Sequence, residues 1–247
     1  MSGTRSRFRR GPVTEAVIVS HGQPSKPQAG EDHVRELANQ VARRLPDWSV
    51  RAATLATPGA LERVLSSCQN EPLIFPVFMA EGWFTRKALP DRLGNSSCRQ
   101  LAPLGALQEL PRSALRLLSR AAERRNWSLD ECEILIAAHG SATGNAAAES
   151  CENFVAAMKE ILPASHIRIG YLEQDPDLAS VAAECGPKTL ALPFFATPGG
   201  HVKEDVPQAL KRAEFQGVQL PCLGQAWFIP ELIAQSLKLA DNRSLAA

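Results

Sequence analysis

The feature that most restricts how this chain can fold is an internal repeat. Arg168 follows Arg51, Pro193 follows Pro76 and Pro207 follows Pro90 at the same spacing of 117 residues, while His139 follows His21 at 118. One inserted residue reconciles the two values. Gly224 and Pro230 follow Gly105 and Pro111 at 119, so the register drifts little over a whole unit. An offset this constant marks duplication. Whatever one half folds into, the other must be able to fold into as well.

Each half alternates strand-like apolar runs with amphipathic helical stretches, the pattern of βαβ units and a parallel sheet. In the first half the strands read EAVIVSHG, WSVRAATL, EPLIFPVF and CRQLAPLG, with helices around Asp32–Arg44, Pro58–Ser67, Trp83–Leu93 and Pro111–Arg124. In the second they read CEILIAAHG, HIRIGYLE, KTLALPFF and VQLPCLG, with helices around Ala146–Leu162, Asp177–Cys185, Lys203–Phe215 and Pro230–Ala240. The expected architecture is two tandem three-layer α/β/α domains of flavodoxin-like type, each with a four-stranded parallel sheet. The polar stretch ERRNWSLDE at Glu123–Glu131 is the natural junction. This gives a flexible basic tail over 1–12, a first domain over 13–126 and a second over 127–247.

Composition excludes several partners. With 27 basic against 26 acidic side chains, no bulk charge draws the chain to nucleic acid or to an anionic membrane surface. The apolar run AVIVS after the basic N-terminus is too short for a signal-peptide core or a membrane span, which leaves the cytoplasm as the expected location. Six cysteines stand singly with no C-x-x-C pair, so neither a zinc ribbon, a redox dithiol nor an iron–sulfur cluster is expected. No G-x-G-x-x-G follows the first strand of either half, which argues against a nucleotide cofactor.

In open parallel sheets ligands gather beyond the carboxyl ends of the strands. In the second half those ends carry His139 after ILIAA, Glu173 after IRIGYL and His201 just beyond LPFFATPGG. Two imidazoles and a carboxylate on one rim make a borderline ligand set that suits divalent cobalt, iron, nickel or zinc and leaves coordination positions open. Taken alone, the glycine pair before His201 marks a tight turn, and Asp175 or Asp177 caps the next helix.

Three motifs carry a family resemblance: H-G-S at His139–Ser141, Y-L-E at Tyr171–Glu173 and L-P-F-F-x-x-P-G-G-H-V-x-x-D-V-P ending at Pro207. Over nearly its whole length the chain resembles the class II chelatases that metallate sirohydrochlorin in siroheme and cobalamin biosynthesis. The resemblance implies a lyase-type chelatase with His139, Glu173 and His201 as metal-binding and proton-moving residues. It implies no permanently bound cofactor, with cobalt or ferrous iron and a reduced tetrapyrrole as substrates. The first half departs from the pattern. It keeps His21 in its H-G motif, but the repeat sets Ala56 opposite Glu173 and Phe84 opposite His201, so one working site per chain is expected.

A carboxylate-rich macrocycle calls for cationic or N–H partners around the cleft. Ser141, Lys203 and His21 are the expected contacts, with Arg86 and Lys87 on the equivalent stretch of the first half. Phe195 can pack on the ring face, although one of Phe194 and Phe195 should belong to the core. Trp227 is expected to pack between the units. Because both imidazoles must be unprotonated to hold metal, activity should fall as pH drops through roughly 6–6.5. The competing reading is a tetrapyrrole or metal carrier with the same ligands but no turnover. A monomer or a homodimer would suit a chain with two fused units.

Overall fold

The computed structural model describes residues 13–24, 26–141, 144–162 and 166–245, so the basic tail expected at 1–12 lies outside the described residues. Two four-stranded parallel sheets form. The first contains β1 (Thr14–Ser20), β2 (Trp48–Thr54), β3 (Leu73–Pro76) and β4 (Arg99–Gln100) in the order β2-β1-β3-β4. The second repeats it with β5 (Glu133–Ala138), β6 (His166–Tyr171), β7 (Thr189–Pro193) and β8 (Val218–Gln219) in the order β6-β5-β7-β8. The fourth strand of each sheet is only two residues long, because Pro103 and Cys222 lead into short 3-10 turns at Leu104–Ala106 and Leu223–Gln225.

Among the described residues eight α-helices follow the strands in turn: α1 (Pro27–Ala42), α2 (Ala60–Ser66), α3 (Leu89–Leu93), α4 (Leu110–Glu123), α5 (Ala146–Ile161), α6 (Leu178–Ala183), α7 (Val206–Arg212) and α8 (Ile229–Leu245). Helix α1 begins five residues before the expected Asp32, with Pro27 in its first turn, where a proline sacrifices no hydrogen bond. The stretches expected as single helices at Trp83–Leu93 and Lys203–Phe215 each open with a π-helical turn, at Phe84–Ala88 and His201–Asp205, before α3 and α7. Asp177 caps α6, accepting the Ser180 N–H at 2.9 Å.

The period-2 alternation of the strands decides which layer each side chain joins. In β1, Val17 and Val19 pack outward with Leu61, Leu89 and Leu93 of α2 and α3. In β5, Leu135 and Ala137 do the same with Leu178, Val206 and Leu210 of α6 and α7. The opposite faces, Ala16 and Ile18 in one sheet and Ile134 and Ile136 in the other, join a single core that also takes in α1, α4, α5 and α8. The closing helices reach across: α8 lies against β3 of the first sheet, and α4 against β7 of the second. Arg44, just beyond α1, meets Glu231 of α8 at 3.1 Å, and the Arg99 guanidinium donates to the Ala240 carbonyl at 2.5 Å. Each fully buried leucine in this shared layer, Leu104, Leu118 and Leu237 among them, contributes about 1.5–3 kcal/mol by leaving water.

Some glycines are demanded by the fold in both halves. Gly22 and Gly140 have φ of 80° and 71°. A Cβ on Gly105 would stand 1.8 Å from the Met79 carbonyl oxygen, and one on Gly224 would stand 1.9 Å from that of Ala196. The six cysteines are free. Burial pushes the Cys151 thiol up to about 12 and the Cys222 thiol up to about 11, which keeps both as neutral, unreactive core groups.

Candidate metal-handling site

Three strand ends build the site. Beyond β5, Gly140 turns the chain so tightly that a Cβ there would lie 2.7 Å from Gln174 Cγ. The His139 carbonyl accepts the Glu173 N–H at 3.0 Å, and the Gln174 side-chain oxygen accepts the Ser141 N–H at 2.8 Å. These bonds tie the ends of β5 and β6 together and set His139 and Glu173 side by side. His201 arrives from beyond β7 on its π-turn. These are the strands flanking the point where the connections from the first strand diverge, which is where open α/β sheets take ligands.

The three side chains converge. His139, Glu173 and His201 each offer a ligand atom, and these atoms lie within 4.8 Å of one another. The two Nε2 atoms are 3.0 Å apart, and Glu173 Oε2 is 3.5 Å from His139 Nδ1. All three are partly open, with side-chain exposures of 38% for His139, 49% for Glu173 and 44% for His201. On the far side of His201, Nδ1 sits 2.7 Å from Asp205 Oδ2. A carboxylate there accepts the Nδ1–H, and this selects the tautomer whose Nε2 lone pair faces His139.

Asp205 was quoted within the third motif but given no role by sequence reasoning. The signal was its spacing of four from His201, which a helical turn converts into side-chain contact. Gln174 was also missed. Its function is to brace the loop, and nothing in an isolated glutamine announces that.

Beside the three candidate ligands lies a cavity of about 590 Å³ between the units. Phe195, Lys203 and His201 line it from the second unit, and His21, Gln23 and His33 from the first, while His139 and Glu173 stand outside its lining. Phe194 is buried in the core, whereas Phe195 lies 6.3 Å from the His201 ring and 6.4 Å from the His139 ring. The Ser141 N–H is engaged by Gln174, and Ala142 and Thr143 of the loop beyond it lie outside the described residues. Arg86 and Lys87 hold ion pairs with Glu81 at 3.3 Å and Asp91 at 2.9 Å, away from this cavity's lining. His33 adds a group that sequence reasoning did not select. Its Nε2 is closed to solvent with no hydrogen-bond partner among the described residues, and burial, with Lys203 nearby, lowers its pKa. Burial likewise lowers that of His21. Trp227 is 46% exposed and carries the Arg120 guanidinium of α4 over its ring at 4.4 Å, a contact between the two sequence halves.

The first rim repeats the backbone without the ligands. The Ala56 N–H donates to the His21 carbonyl at 2.7 Å, as that of Glu173 does to His139. The Phe84 ring lies 4.4 Å from that of His21, where the second rim has His201 at 4.3 Å from His139. The ring pair survives, but phenylalanine offers no donor atom in place of the His201 imidazole.

A model of the CbiX family matches residues 133–240, the stretch that holds all three candidate ligands. A solved CbiX structure, described as the terminal enzyme for biosynthesis of siroheme in denitrifying bacteria, is 40% identical over 92% of this chain and 99% of its own, with a TM-score of 0.83. The chain belongs to the CbiX family. Two more distant structures share the fold alone. SirB from Bacillus subtilis with Fe3+ is 10% identical over 94% of this chain and 98% of its own, with a TM-score of 0.74. DR2241 from Deinococcus radiodurans, a multi-domain protein with structural similarity to chelatases, is 16% identical over 91% of this chain and 54% of its own, with a TM-score of 0.69. No curated protein matched the chain. Within this CbiX-family chain, the family match therefore falls on the unit whose rim is chemically complete.

Proposed function

We propose that this CbiX-family protein is a lyase-type chelatase that inserts a divalent metal, cobalt or ferrous iron, into sirohydrochlorin on the route to siroheme or cobalamin. The observation that carries this reading is the convergence of His139, Glu173 and His201 at the edge of a cavity between the units. Insertion must strip water from the incoming ion, present it to one face of the macrocycle and remove two pyrrole protons. His139 and His201 hold the ion through Nε2, with Asp205 keeping His201 in register. Three protein ligands leave coordination positions open for exchange with the ring nitrogens. Glu173 balances the charge of the ion or accepts a proton released from the ring. Lys203, His21 and Ser141 are proposed contacts for the macrocycle's carboxylates, and Phe195 for its face.

Among the described residues no helix is long and apolar enough to cross a membrane. Six free thiols accord with a protein of the reducing cytoplasm. The test is to incubate the purified protein with sirohydrochlorin and Co2+, Fe2+ or Ni2+ in turn and follow the change in absorbance. Many turnovers with one or more metals are expected. Stoichiometric binding without metallated product would mean that the protein is a carrier.

A further inference from the structure

Gly200 is a glycine that the fold does not require. The Gly199 N–H closes a turn onto the Thr197 carbonyl at 2.9 Å, but neither Gly199 nor Gly200 has a backbone in the left-handed region, so the turn does not itself call for glycine. Gly200 sits at φ −56°, ψ −48°, ordinary right-handed helical geometry that any residue adopts, at the start of the π-turn bearing His201. Nor is space lacking. A Cβ on Gly200 would meet only the tip of the Gln23 side chain at 3.9 Å, and one on Gly199 would have no neighbour within 4 Å.

The repeat supplies an internal control. Trp83 holds the equivalent place at the start of the first π-turn, with φ −53° and ψ −40°, and its side chain is 66% exposed. The same backbone therefore accepts the largest side chain. Gly22 and Gly140, by contrast, keep positive φ in both halves, and Gly105 and Gly224 both face a carbonyl at sub-contact distance. These two pairs of required glycines are retained in both units, whereas Gly200 is present only beside the three candidate ligands.

A bare Cα on an ordinary helical backbone, adjoining a ligand and lining a cavity, keeps room for something outside the chain. We propose that Gly200 is a clearance residue: it lets the flat face of the tetrapyrrole lie against the backbone beside His201, and Trp83 in the same place closes the first rim to that ligand. The inference rests on the proposed function, and it adds the residue that admits the ring.

The test uses the full chain with Gly200→Ala and Gly200→Trp. Binding of metal-free sirohydrochlorin is read from the tetrapyrrole's own spectrum, Co2+ binding without tetrapyrrole from visible absorption, and stability from thermal melting. Sirohydrochlorin binding should weaken about tenfold in the alanine variant and about a hundredfold in the tryptophan variant. Co2+ affinity should stay at the wild-type level, and the alanine variant should melt at or above the wild-type temperature, since alanine is the better helix former. Wild-type turnover together with undiminished sirohydrochlorin binding by Gly200→Trp overturns the clearance role alone. Concurrent loss of Co2+ binding and thermal stability in both variants overturns it too, by making Gly200 structural. Absence of turnover in the wild type overturns the chelatase reading, and this inference falls with it.

Discussion

The two rims share a backbone and differ in a handful of side chains. Each follows its first strand with a histidine and glycine, ties that histidine's carbonyl to the second strand end, and enters its third helix, α3 or α7, through a π-turn. At the first rim the positions of Glu173, His201 and Asp205 are held by Ala56, Phe84 and Ala88. His201 and Asp205 are replaced together, which is the outcome expected if the carboxylate exists to orient the imidazole. The comparison separates what the architecture demands from what the chemistry demands.

The sharpest way to break the comparison is to make the second rim like the first. His201→Phe copies Phe84 and should lower kcat/KM for metallation by well over the about 10–100-fold typical of changes one layer out from a metal. Its melting temperature should stay near the wild-type value, because an exposed ligand contributes little to folding. A large loss of stability with retained turnover would make His201 a structural residue.

Asp205→Ala, which copies Ala88, should cost about 10–100-fold in Co2+ affinity or turnover. Asp205→Asn should recover much of that loss, because the amide oxygen can still accept the Nδ1–H. Equal losses in the two variants would leave charge, and not orientation, as the role of Asp205.

The reverse exchange tests sufficiency. Ala56→Glu with Phe84→His supplies the missing ligands where the His21 ring already stands 4.4 Å from residue 84. Co2+ titrated into this double variant should bind in a second, weaker phase absent from wild type. An unchanged stoichiometry would mean that the first rim differs in more than its side chains.

The smallest effect lies at the other end of the strands, where the halves remain alike. Glu15 and Glu133 lie at the N-terminal ends of β1 and β5 and both have lowered pKa values. Burial would raise Glu15, but the Asn70 N–H, the Arg51 guanidinium at 2.6 Å and the Gln69 N–H outweigh it. For Glu133 the Gly186 N–H is the main cause, opposed by burial and aided by the Thr189 hydroxyl and Arg168. A carboxylate held below its unfolded value of 4.5 stabilises the fold above that pH, and the contribution is lost as pH falls through the folded value. Glu15→Gln and Glu133→Gln should each cost about 1–3 kcal/mol at pH 7, more for the buried Glu15. Thermal melts should show each deficit narrowing below pH 4.5, and a deficit that persists in acid would point to packing.

Much of this was legible in the sequence, for identifiable reasons. The sheets were readable because alternation in EILIAA and its partners reports two buried faces, and the convergence of the candidate site because three strand ends carried compatible donor side chains. What escaped depends on how elements meet. Nothing in the local pattern of α4 or α8 says on which sheet it rests. The contact between His201 and Asp205 needs the helical turn to begin at His201, two residues before the helix expected from Lys203. His33 is one histidine on an amphipathic helix, and only the cavity beside it gives it significance. The turn before His201 was readable, but the space that Gly200 leaves shows only in the cavity beside it.

The exchange of closing helices has a mechanical consequence. A cleft between two sheets that were merely joined in series could widen by a hinge, but here each half is buckled to the other by a helix lodged in a common apolar layer. Prising the walls apart would expose Leu118, Ile233 and Leu237 to water, so a guest must enter and leave past the rim loops of a mouth whose width is set when the chain folds.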